Sequence, residues 1–147
     1  MNNFEAGDSL VREAHEFLSE VDRAFERGSW NIVVRRAQEV VELSLKGGLK
    51  MMGIEYPKEH DVGRVFARAC GARNLSIGEP DLVNIMQISA WLARERQPSF
   101  YMDRRYSRAE AVRAREGAMT VLALVDRQVE IMRGREGPGQ EPAPTTD

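Results

Sequence analysis

The sequence predicts an all-α fold in a single domain, and three observations carry that expectation. Apolar residues recur every three or four positions over five separate stretches. No stretch alternates apolar and polar residues between hairpin turns. At 147 residues the chain is long enough for one bundle of helices to bury most of its apolar surface.

The first helix is expected from Asp8 to near Gly28, with Leu10, Ala14, Phe17, Leu18, Val21 and Phe25 on its buried face. After "GSW", the run "NIVVRRAQEVVELSLKGGLKMM" forms a long second helix. Its apolar stripe is Ile32, Val33, Ala37, Val40, Val41, Ser44, Leu45, Gly48 and Leu49, and it stops at Gly53. Pro57 forces an extended connection. A short third helix spans residues 61 to 70 through Val62, Val65, Phe66 and Ala69, and "CGARNLSIGEP" is too rich in turn residues to continue it. The fourth runs from about Asp81 through Leu82, Ile85, Met86, Ser89 and Leu92 to about Arg96, with Pro80 in its first turn and Pro98 as its stop. Ser107 and Glu110 have the spacing of a capping box that opens the fifth helix. That helix continues through Ala118, Val121, Leu122, Val125 and Val129 to about Arg133. The folded domain is therefore expected over residues 1–134. The tail 135–147, rich in proline and glycine and without a large apolar residue, is expected to be disordered.

Hydrophobic residues at 42% and charged residues at 30% belong to an ordinary water-exposed fold, and no apolar run approaches the roughly 20 residues of a membrane helix. The opening "MNNFEAGDSL" has no basic segment followed by an apolar one, so secretion is not expected and the cytoplasm is. A single cysteine, Cys70, excludes an internal disulfide, and with only His15 and His60 beside it no metal site or cofactor is expected. Phosphate-loop, dinucleotide-binding and zinc-protease motifs are missing.

The net charge of −2 argues against a general nucleic-acid binder, yet its placement is uneven. Residues 94 to 115 hold seven arginines against three acids, a local +4 that leaves −6 for the rest. Basic residues are 18 Arg to 3 Lys, and arginine suits bidentate recognition of phosphate or carboxylate, although coding composition would produce the same bias.

His15, between Glu13 and Glu16, reads as a surface residue, and His60-Asp61 as a cap on the third helix or, for His60, a substrate contact. On the polar face of the second helix, Arg35 with Glu39 and Glu42 with Lys46 form four-residue pairs. That face, with Arg36, is either simply solvated or lines a groove opposite Arg94 and Arg96. In "LARERQPSFYMDRRYSRAEA", residues 92 to 111, Tyr101 follows Arg96 just past the expected helix end. There a guanidinium holds a phosphate while a phenol positions or donates a proton. The blander reading packs Phe100 and Tyr101 over the bundle end and leaves Arg104 and Arg105 to solvate the turn.

Two segments then point to a family. "RRAQEVVELSLKGGLKMMGIEYPKEHDVGRVF" looks like the A-x-E-x-x-x-K helix, followed by "GI" and a His-containing turn, of the HEPN family, named for its occurrence in higher eukaryotes and prokaryotes and for nucleotide binding. "LARERQPSFYMDRRYSRAEAVRAREGA" is similar to that family's R-E-x-A-x-Y-G-D segment and the helix after it. The resemblance covers roughly residues 5 to 133. It implies an up-and-down four-helix bundle with an additional short helix, usually a homodimer. It also implies a metal-independent endoribonuclease with an R-x(4–6)-H motif at the dimer cleft, paired in bacteria and archaea with a minimal nucleotidyltransferase as toxin and antitoxin. Arg96 or Arg94 matches the motif arginine, and Tyr101 stands at the histidine position. A phenol with a reference pKa near 10 is a weaker base at neutral pH than an imidazole near 6.5, so two readings follow. In one, Arg94, Arg96 and Tyr101 cut RNA. In the other, the chain is a non-catalytic module that binds a nucleotide or docks the nucleotidyltransferase, with Tyr101 as acceptor of an adenylyl group. Under either, Arg36, Lys46, His60, Arg104 and Arg105 are the expected contacts to RNA or nucleotide.

Overall fold

The computed structural model describes residues 1–73 and 77–136. Among the described residues there are five helices: α1 (Asn3–Arg27), α2 (Trp30–Met51), α3 (Gly63–Ala72), α4 (Glu79–Tyr101) and α5 (Arg108–Glu136). There is no strand among the described residues, and no helix is long and apolar enough to cross a membrane.

α1 starts five residues before the expected Asp8. The Asn2 side chain accepts the Glu5 amide at 2.8 Å and the Glu5 carboxylate accepts the Asn2 amide at 3.0 Å, a reciprocal cap that satisfies two free donors. At the other end Gly28 takes the left-handed conformation (φ 74°), and the Ser29 amide returns to the Ala24 carbonyl. The chain reverses at once, so α2 lies antiparallel against α1. Gly7 faces Gly47 where the two backbones come closest.

α2 is the central element and packs against all four other helices. Val33, Val34, Ala37, Val40, Val41, Ser44, Leu45 and Leu49 are all buried, whereas Ile32, placed on the buried stripe by its spacing, stands exposed beside the first turn. The short α3 inserts Phe66 against Gly48 and is capped by Asp61, whose Oδ1 accepts the Gly63 amide and the Ser89 hydroxyl. α5 runs antiparallel to α1, held by Arg133 on Asp8, His15 on Asp126 and Arg115 on Asp22. Apolar residues from every helix join one continuous core.

Two further expectations fail here. Pro98 does not stop α4, which continues to Tyr101 and ends on left-handed Met102 (φ 59°). Proline removes one helical donor and crowds the carbonyl four residues back. Only one turn follows it, and that turn is held by other means: Ser99 Oγ donates to the Arg96 carbonyl, Arg35 stacks on Phe100, and the Asp103 amide closes on the Pro98 carbonyl. The second failure is the pairing of Arg35 with Glu39. Arg36 bonds Glu39 instead (2.6 Å), because Arg35 turns to the Phe100 ring, 3.9 Å from its centroid. α5 extends to Glu136, into the start of the segment expected as tail; residues 137–147 lie outside the described residues.

Candidate functional site

The arginines of the basic segment divide by the company they keep. Arg104 is an internal strut: its guanidinium bonds Glu95 at 3.1 Å, pairs with Glu110 and stacks 4.2 Å from the centroid of Tyr106. The hydrogen bond it donates to Glu110 pushes its pKa up. Glu110 is held below the ordinary carboxylate range, first by the Ser107 amide and then by Arg104. Tyr106 is buried and donates its hydroxyl to Glu95 at 2.6 Å. Burial, followed by that carboxylate, pushes the phenol upward. This Glu95–Arg104–Tyr106–Glu110 knot locks the α4–α5 turn, so Arg104 is occupied and not the free anion contact its sequence position indicated. Tyr106 gave no sequence signal, since it fell between elements and its partner Glu95 sits eleven residues earlier.

Arg94, Arg96 and Arg105 make no side-chain hydrogen bond or ion pair among the described residues. Arg96 borders a cavity of about 290 Å³ between α1, α2 and α4, whose lining is Glu13, Phe17, Glu39, Glu42 and Leu43. A groove does lie between the polar face of α2 and Arg96, but Arg94, expected beside it, is not among its lining residues. Two of its three carboxylates are already engaged. Glu39 accepts from Arg36, which also reaches Glu20 at 3.0 Å. Glu42 accepts from Lys46 and Gln38, each at 2.8 Å, and bonds His60 Nδ1 at 3.1 Å. Burial opposes the Glu42 charge, but the bonds from Lys46 and Gln38 outweigh it and hold its pKa below the usual range.

The remaining expected site residues are thus placed. Arg36 and Lys46 are tied to carboxylates on the α2 face. His60 does not cap α3, a task Asp61 performs, but reaches across to Glu42 with its ring half exposed. His15 is a surface residue paired with Asp126. Tyr101 is the last residue of α4 and not part of a non-helical segment; it is 63% exposed, with its ring edge-on to Phe100. Phe100, Tyr101 and Met102 form an exposed apolar group at this end of the molecule. The first turn of α2 lies beside them, because Asn31 donates to the Arg104 carbonyl and Arg35 covers Phe100. Among the described residues no three His, Cys, Asp or Glu side chains converge as metal ligands would.

The family model described as the HEPN domain matches residues 8–128. No curated protein and no solved structure matches the chain.

Proposed function

The chain belongs to the HEPN domain family, and from that premise we propose that it is a metal-independent endoribonuclease acting as a homodimer, the toxin of a pair whose antitoxin is a minimal nucleotidyltransferase. The observation that supports the reading best is the uneven neutralisation around Arg96. The carboxylates of Glu39 and Glu42 are bonded by Arg36 and Lys46, while the guanidinium of Arg96 borders a cavity and has no ion-pair partner among the described residues. Two of the three carboxylates that line the cavity already have cationic partners, so a phosphate approaching Arg96 displaces no existing ion pair and competes chiefly with Glu13. Arg94 and Arg105 add two further unpaired cations at the same end of α4.

In this reading Arg96 stabilises charge that develops on the phosphate as a 2′-hydroxyl attacks it, and Tyr101 donates a hydrogen bond to the same group. The exposed Phe100, Tyr101 and Met102 suit burial against a second copy of the chain, which brings two such sites together. In a single copy, before that face is covered, Tyr101 is 63% exposed and open to adenylyl transfer. The test is cleavage of a single-stranded RNA in EDTA: Arg96→Ala is expected to be slower by roughly 10²-fold or more, the cost of removing one preorganised charge-stabilising group. Equal cleavage by both proteins sinks the assignment.

A non-catalytic module that binds a nucleotide is the second reading. It is favoured by Tyr101 standing at the histidine position and by neither histidine falling between residues 94 and 105. Calorimetry with ATP and with the same RNA separates the two, because a nucleotide module takes up ATP and ignores the RNA.

A further inference from the structure

A ribonuclease that uses a 2′-hydroxyl as nucleophile needs a group to take its proton, and a phenol at Tyr101 is poorly suited to that at neutral pH. The fold supplies an imidazole elsewhere. His60 lies in the connection between α2 and α3, and its Nδ1 meets both oxygens of Glu42, at 3.1 and 3.3 Å. Glu42 lines the cavity that Arg96 borders. The same carboxylate therefore holds the imidazole and forms the wall next to the unpaired guanidinium.

We infer that His60 is the general base of the Arg96 site and that Glu42 is the residue positioning it. The inference rests on the ribonuclease reading above. A carboxylate on Nδ1 selects the tautomer with its proton there, which leaves Nε2 with a free lone pair. The side chain is half exposed beside the cavity wall that Glu42 forms, which leaves a bound strand room to reach it. The other charged groups around the ring do not take Glu42's place. From α2, Lys46 shares the Glu42 carboxylate; in the connection, Tyr56 lies against Lys46. Asp61 is held by Ser89 and the Gly63 amide, and Glu59 makes no bond to the imidazole. Across the cavity, α4 presents Arg96.

The step balances without metal or redox partner. The 2′-oxygen forms a bond to the adjacent phosphorus as its proton passes to His60 Nε2. The bond from phosphorus to the 5′-oxygen breaks, and that oxygen takes a proton from water. The products are a 2′,3′-cyclic phosphate and a 5′-hydroxyl, and the imidazolium returns its proton to solvent. DNA, without the 2′-hydroxyl, is not cut.

The test uses the full chain in EDTA with one RNA oligonucleotide. Cleavage is followed from pH 5 to 9 for the wild type, Arg96→Ala and His60→Ala, the last with and without free imidazole. His60 is on the surface of a connection, so His60→Ala is expected to fold, which far-ultraviolet circular dichroism checks. The expected result is a rate for His60→Ala lower by roughly 10²-fold or more, loss of the acidic limb of the pH profile, and partial recovery with imidazole. If His60→Ala cuts like the wild type while Arg96→Ala does not, the ribonuclease reading stands and this inference is overturned. It is equally overturned by a slow His60→Ala that keeps the wild-type pH profile and gains nothing from imidazole, since that marks a structural role. A wild type that leaves RNA intact removes the reading and the inference together.

Discussion

Tyr106 shows how much one side chain settles at the end of α4. Its ring is in the core and its hydroxyl finds a carboxylate at 2.6 Å, so the partner is what makes the burial tolerable. Glu95→Ala leaves that hydroxyl buried without an acceptor and is expected to cost about 1–3 kcal/mol, read as a lower urea midpoint with unchanged slope. A change under about 0.5 kcal/mol would contradict the arrangement. The pH dependence has a definite sign. The folded pKa of Tyr106 lies above its ordinary 10.0, and that of Cys70 is raised by burial from 9.0 to about 11. Both groups therefore favour the fold while protonated, fully below pH 9. That stability is lost as pH climbs through 9 to 11 for Cys70 and beyond 10 for Tyr106. Cys70→Ala is expected to remove the first part of the alkaline decline in an unfolding series and leave the second. Arg35 stacking on Phe100 in place of pairing with Glu39 was not legible from spacing, because the ring that draws it is on another helix.

At the scale of elements, the closest approach decides what each position tolerates. A Cβ at Gly7 would sit 2.5 Å from the Gly47 carbonyl oxygen, which is backbone and cannot swing aside, so α1 would have to move off α2. Gly7→Ala is expected to destabilise by roughly 1–3 kcal/mol. Gly71, inside α3 with nothing within 4 Å of such a carbon, serves as control. Gly71→Ala is expected to stabilise by about 0.5–1 kcal/mol through better helix propensity. Thermal unfolding of the two variants should move in opposite directions; a shared direction would contradict the contact at Gly7. Helix identity was legible throughout, since each apolar period falls within its helix. Boundaries were not. α1 gained its first turn from a cap at Asn2, and α4 outlasted Pro98 because the following turn is fastened by contacts to α2 and by its own C-terminal closure.

For the whole molecule, the net charge of −2 conceals a division between cations used in the fold and cations left over. Arg104, Arg115 and Arg133 tie helices together; Arg94, Arg96 and Arg105 do not. On the ribonuclease reading, binding of a single-stranded RNA weakens with salt, and Arg105→Ala reduces the slope of log K against log salt by about 0.7, one phosphate contact. Arg104→Ala acts mainly on unfolding, because it opens the Glu95–Tyr106 knot. If Arg104→Ala and Arg105→Ala change the salt slope alike and leave stability alike, the division is wrong.

From the order of residues alone came the all-α class, five helices and the family, because periodicity and local motifs are properties of neighbours along the chain. Folding decided which members of that segment are free. Arg104 and Arg96 look equivalent eight residues apart, yet one meets Glu95 and Glu110 while the other borders a cavity and has no ion-pair partner among the described residues. His60 likewise read as a cap or a substrate contact, and only the fold brought Glu42 within 3.1 Å of its ring. Whether a charged group is occupied depends on side chains that arrive from other helices, and spacing along one helix carries no record of them.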